Sequence, residues 1–398
     1  MHLSRNSYQK PIERLKFSES LERTAAEIPD GIAKLRFLRG SVERRNHRAR
    51  RWKMGGACAC IALIAFLAAA MPRSSVIQSK VFPGKKSASE TGSGKTKLAA
   101  PVWLVEENQK GSIYSNGLHV WNDFRISGPA RQFRPLARAS LEPGEIRTKP
   151  VGIVYHTSES LMAPFDPHGN ESLRRYGLRL LGSVMRSRLY NFVIDRFGRV
   201  FRVVPEMQIA NHAGHSVWAD RDFVYVNLNG SFIGVSFEAQ TPGSAASAQI
   251  PVSAPISDAQ AHSGQILTQM LRGVYNIPEE DCVTHAQVSV NPSNMYIGYH
   301  TDWASHFPFR EMGLPDGYES PVAGIDVFGF RYDSTFLQAI GGMPWKGIVS
   351  AEERLIRSAA AHGATPDAYR KTLQKKYIDT VGGLSGLAAA EEKRHEQS

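Results

Sequence analysis

The sequence predicts an α/β domain with a central mixed β-sheet flanked by helices, on the strength of three observations. Between about residues 101 and 335, short apolar runs alternate with longer amphipathic ones. The short runs, Val151–His156, Tyr190–Ile194, Val200–Val204, Ile233–Glu238 and Cys282–His285, have the length and apolar content of strands. The longer runs, Glu171–Arg188 and Ser257–Tyr275, have helical periodicity. The second opens on a Ser-Asp cap and stops before Asn276-Ile-Pro278. Strands interleaved with helices imply a sheet covered by helices. Asp195-Arg-Phe-Gly198, between two strand runs, predicts a hairpin turn.

Outside this domain the composition changes. Residues 1–54 hold 14 Lys/Arg against 6 Asp/Glu, which accounts for eight of the net +11. They read as a basic cytoplasmic tail, either disordered or carrying a docking helix over Ser18–Arg39. Residues 55–71 contain no charge. At about 1.5 Å per residue, such a run spans roughly 26 Å, enough for a bilayer core. Arg44, Arg45, Arg48, Arg50, Arg51 and Lys53 precede it, so a transmembrane helix with its N-terminus in the cytoplasm is expected. That position also explains the basic tail without nucleic acid. A cleaved signal peptide is the competing reading, though its n-region would exceed 50 residues. Residues 72–100 read as a flexible linker, 101–335 as the main domain and 336–398 as a helical C-terminal extension. Within the extension, Ala351–Tyr377 has the pattern of one or two helices, and the last dozen residues read as a charged tail. Cys58 and Cys60 lie in the apolar run and Cys282 in a strand pattern, so no disulfide framework is expected.

Two of the strand runs stop at a histidine, His156 and His285, and an aspartate, Asp302, follows the second on a loop. Two imidazoles and a carboxylate supply three corners of a Zn²⁺ tetrahedron and leave the fourth to water. The reaction type this implies is hydrolysis by a metal-activated water.

Between residues 150 and 305 the sequence resembles the zinc-dependent N-acetylmuramoyl-L-alanine amidases and the related peptidoglycan recognition proteins. Five segments in order carry the resemblance: Ile153-Val-Tyr-His-Thr157, Tyr190 to Val200, Asn211-His-Ala-Gly214, Ile233-Gly-Val-Ser-Phe-Glu238, and Thr284-His285 with His300-Thr-Asp302. The resemblance implies that His156, His285 and Asp302 bind Zn²⁺ and that Tyr190 hydrogen-bonds the water or the oxyanion. It further implies that His300 stands where many relatives carry a Lys, and that His212 and Trp218 lie around a substrate groove. Ser236 occupies the position where many family members have a catalytic Glu. Glu238, two residues on and on the same face by strand alternation, is the expected substitute. The 17 positions from His285 to Asp302 are long for the family, which leaves His306 as an alternative ligand.

The whole pattern leads to the expectation of a membrane-anchored zinc amidase acting on peptidoglycan. It would be a single-pass protein of a bacterial inner membrane, with its catalytic domain facing the periplasm or exterior. The alternative is a non-catalytic peptidoglycan-binding receptor of the same fold.

Overall fold

The computed structural model describes residues 101–160, 167–240 and 256–396. These fall within one compact unit, Gly92–Ser398. Among the described residues no helix is long and apolar enough to cross a membrane. The expected tail, apolar run and linker at 1–54, 55–71 and 72–100 lie outside the described residues.

The sheet is mixed, as expected. Its central strands are β5 (Gly152–Thr157), β6 (Phe192–Ile194), β7 (Val200–Arg202), β10 (Phe232–Phe237) and β11 (Cys282–Thr284). Three N-terminal strands, β1 (Leu104–Asn108), β2 (Gly111–Tyr114) and β3 (His119–Trp121), extend one edge, giving the order β1-β2-β3-β7-β6-β10-β5-β11. β5 runs parallel to both β10 and β11, and β6 pairs antiparallel with β7 across the hairpin. The turn forms as the sequence predicts. Asp195 Oδ1 accepts from the backbone N–H groups of Phe197 and Arg199, and Gly198 takes φ +78, a conformation open to glycine. A second sheet, β4 (Leu136–Ala137), β9 (Phe223–Val226) and β8 (Val217–Ala219), packs alongside.

β5 and β10 are buried along their whole length, which explains their continuous apolar runs. Their parallel register sets Ser236 opposite His156. Helix α1 (Asn170–Ser187) turns Leu173, Gly177, Leu181 and Val184 inward, the spacing of one helical face. Helix α2 (Asp258–Tyr275) begins at a capping box in which Ser257 and Gln260 satisfy each other's backbone N–H groups. Leu267, Met270 and Leu271 of α2 join Tyr155 and Phe237 in the main core.

Two expectations are corrected. The strand expected to carry His285 ends at Thr284, and His285 opens the short helix α3 (His285–Val288). The cause is local: Gln287 Oε1 accepts from the Thr284 N–H at 2.8 Å and starts the helical turn. The C-terminal helices also run further than the pattern suggested. After α4 (Ala323–Asp326) and α5 (Ser334–Ala339) come α6 (Lys346–Ala361) and α7 (Pro366–Glu396), so the charged end is helical to Glu396. Trp345, Ile348, Leu355, Leu373 and Tyr377 share a core cluster with Leu136, Val217, Val224 and Val290. The C-terminal helices therefore pack into the same core as the second sheet.

Candidate metal centre

The carboxyl ends of β5 and β11 lie side by side, because Thr284 pairs with Tyr155. His156 and His285 each follow that pair by one residue, so their rings meet, with centroids 4.4 Å apart. Asp302 reaches both: Oδ2 lies 3.1 Å from His156 Nδ1 and Oδ1 lies 2.8 Å from His285 Nδ1. The three groups offer ligand atoms within 4.8 Å of one another and all are buried. The long spacing from His285 to Asp302 is absorbed by β12 (Val290–Asn291) and β13 (Tyr296–Ile297), an antiparallel pair. His306 is exposed and bonds Ser305, so it is not the third ligand.

These residues form one wall of a cavity of about 470 Å³ that Tyr190, His212, His300 and Glu159 also line. Burial, reinforced by the charge of His285, pushes the His156 pKa down to about 4, so its ring is neutral at neutral pH. Burial alone would raise the Asp302 carboxyl, but the His285 and His156 rings beside it hold it below the ordinary range.

His212 decides which nitrogen of His156 carries the proton. Its Nε2 lies 3.3 Å from the Phe232 carbonyl, which can only accept, so Nε2 bears the hydrogen. Burial holds the His212 pKa well below the ordinary value, so its Nδ1 is a bare acceptor 3.1 Å from His156 Nε2. His156 Nε2 therefore donates, and its Nδ1 presents a lone pair to the Asp302 carboxylate. That lone pair and the carboxylate together suit a cation placed between them. The donor set of two imidazoles and one carboxylate fits Zn²⁺ with one open position, and His212 stands where an outer partner would orient a ligand. His212, expected to bind substrate, lines the cavity with both its ring nitrogens engaged inside the protein.

The supports of His212 were not evident from the sequence. Asn229 Oδ1 accepts from the His212 and Ala213 N–H groups at 2.8 and 2.6 Å. Gly234 permits the close approach of the ring, since a Cβ there would stand 2.6 Å from His212 Cγ. Beneath them Arg131, 1% exposed, donates to the carbonyls of Glu206, Gln208, Gly230 and Phe232.

Tyr190 is placed as expected, its ring centroid 5.1 Å from that of His156. Burial, with the negative charge of Asp302 adding to it, raises its pKa, so the phenol remains a donor. His300 stacks on His285 at 4.7 Å and 20°. Partial desolvation, with the neighbouring His285, lowers its pKa although its ring is exposed at the cavity rim.

Two expected residues do not line the cavity. Glu238 follows the end of β10 and pairs with Arg196, Oε1 to Nε at 3.3 Å, while its Oε2 accepts from the Arg196 backbone N–H. Its orientation is set by that buried partner rather than by the strand alternation that was expected to bring it beside Ser236. Trp218 is buried at 3% exposure and donates Nε1–H to Asp281 Oδ1 at 2.8 Å, so its ring packs in the core and offers no face to a sugar.

The fold and site together give a mixed-sheet domain with a buried His156, His285 and Asp302 group able to hold a metal ion. Residues 147–302 of the chain match the family model described as N-acetylmuramoyl-L-alanine amidase. Among solved structures it is similar to the amidase LysC from Clostridium intestinale, at 20% identity and a TM-score of 0.25, covering 47% of this chain and 93% of that one. It is also similar to AmiD from E. coli in complex with anhydro-N-acetylmuramic acid-L-Ala-D-γ-Glu-L-Lys, at 19% identity and a TM-score of 0.30, over 45% and 64% of the two chains. AmpDh3 from Pseudomonas aeruginosa is similar at 18% identity and a TM-score of 0.31, over 52% and 73%. No curated protein matches the chain.

Proposed function

We propose that this chain is a zinc-dependent amidase that hydrolyses the bond between N-acetylmuramic acid and the L-alanine of the peptidoglycan stem peptide. The observation that carries the reading is the convergence of His156, His285 and Asp302 inside the family-matched segment. Zinc held by these three residues would supply Lewis acidity, which activates water near neutral pH and polarises a carbonyl. The remaining work falls to the chain's own side chains. His212 keeps the His156 Nδ1 lone pair directed at the centre. Tyr190, protonated and facing His156, donates to the oxygen on which negative charge develops. The cavity of about 470 Å³ falls in the range of small-ligand sites.

Residues 55–71, with the basic segment before them, support a further part of the reading: an N-terminal anchor that keeps residues 101–335 near the cell wall on the outer side of the inner membrane. A tether of this kind raises local concentration without added contacts.

A second reading, a peptidoglycan receptor without catalysis, is favoured by one observation: Ser236, and no carboxylate, faces His156 from the neighbouring strand. Incubation of the full-length chain with muropeptides, followed by mass spectrometry, tests both. Stem peptide with a free N-terminal L-alanine, abolished by chelation and restored by zinc, is the expected result. Binding of muropeptide with no peptide released would favour the receptor.

A further inference from the structure

Amide hydrolysis needs a group that takes a proton from water and returns it to the leaving nitrogen. Neither the three candidate ligands nor Glu238 is free for that work. Asp302 is committed to the two imidazoles, Glu238 is held by Arg196, and the position facing His156 is Ser236. Among the described residues that line the cavity, one other carboxylate is present, Glu159.

Glu159 lies three residues beyond His156, just past the end of β5. Its backbone has φ +53, in the left-handed region that side chains other than those of glycine and asparagine rarely adopt. Strained backbone of this kind concentrates at functional sites. The Thr157 hydroxyl donates to Glu159 Oε1 at 2.7 Å, which fixes the carboxylate beside the cavity. The negative charge of Glu159 also acts on the Tyr190 phenol, adding to burial and to Asp302 in raising its pKa. Its field therefore extends to the residue facing His156.

We propose that Glu159 is the catalytic proton shuttle of this site, a role that rests on the amidase reading above. Its carboxylate takes one hydrogen of the attacking water as the water oxygen bonds to the amide carbon. As the tetrahedral adduct collapses and the C–N bond breaks, Glu159 returns that proton to the departing nitrogen. The products are a carboxylic acid on the lactyl group and a free amine on L-alanine. One water is consumed and Glu159 is regenerated.

The test uses the full-length chain with bound zinc and a muropeptide substrate, comparing wild type, Glu159→Gln and Glu159→Ala. Glu159→Gln keeps the size of the side chain and removes its basicity. It is expected to lower kcat at least about 100-fold, with zinc content, melting temperature and KM near wild type. Formate, a small carboxylate, is expected to restore part of the activity of Glu159→Ala. Wild-type release of stem peptide with Glu159→Gln within about threefold of it would overturn this inference and leave the amidase reading intact. A loss of activity accompanied by loss of zinc, or no formate rescue, would overturn it also, since Glu159 would then be supporting structure. Failure of the wild-type chain to release peptide removes the amidase reading and this inference with it.

Discussion

Replacing His212 with leucine isolates the step on which the metal centre depends. Leucine keeps an apolar body against Gly234, whose absent Cβ makes room for the imidazole, but it removes the Nδ1 acceptor 3.1 Å from His156 Nε2. His156 is 1% exposed, so water does not readily replace the lost partner. Its proton would then move to Nδ1, where Asp302 Oδ2 accepts it at 3.1 Å. An incoming ion must displace that proton, and loss of such an outer partner typically weakens metal binding about 10- to 100-fold. At about 1.4 kcal/mol per decade, this amounts to roughly 1.4–2.8 kcal/mol. Competition against a chromophoric zinc chelator measures the affinity, and ¹⁵N NMR of the metal-free protein reads the His156 tautomer. The Nε2–H form is expected in wild type and the Nδ1–H form in the variant. Zinc affinity within about twofold of wild type, or an Nδ1–H tautomer already present in wild type, would refute the reasoning.

Three further outcomes follow from the same geometry. Tyr190→Phe removes a half-buried donor that faces His156 and should lower kcat about 10²- to 10³-fold with zinc content unchanged; elemental analysis beside the muropeptide assay checks both. Arg131→Met leaves the carbonyls gathered by one guanidinium without their donor, and should destabilise the fold by about 3–5 kcal/mol in urea unfolding, with Arg131→Lys a poor rescue because an ammonium has too few donors in the wrong geometry. Asp281 is pushed up to about 7 by burial, against the opposing hydrogen bond from Trp218. Ionisation above that pH therefore costs the folded state stability, and the cost disappears as pH falls towards the unfolded value. Asp281→Asn should be more stable than wild type at pH 8, by up to about 4 kcal/mol, with the gap shrinking towards pH 4; a gap independent of pH in urea unfolding would contradict the cause assigned.

The sequence carried the ligand set because each ligand sits where a local pattern ends. His156 closes the apolar run of β5, His285 follows that of β11, and parallel pairing of those two strands brings both to one sheet edge. Asp302 was harder to assign, since its distance from His285 depends on the β12–β13 pair, which is too short to have a periodicity. The misplacements share a physical origin. Strand alternation was expected to set Glu238 beside Ser236, but a side chain beyond the last paired residue follows its nearest buried partner, here Arg196, 42 positions away. Trp218 looked like a groove aromatic until the buried carboxylate of Asp281 claimed its N–H. Arg131 lies before the family-matched segment and Glu159 is marked by a backbone angle, so neither leaves a motif in the sequence. The C-terminal helices were visible as periodic runs, whereas their packing into the core of the second sheet is set by contacts across more than 100 residues.

The most direct test of the metal centre is elemental analysis of the purified full-length chain and its His156→Ala variant after dialysis against trace zinc. About one zinc per wild-type chain is expected, with far less in the variant and no stem peptide released by it. Stoichiometric zinc retained by His156→Ala, or peptide release by wild-type protein stripped of metal, would contradict a catalytic ion held by His156, His285 and Asp302.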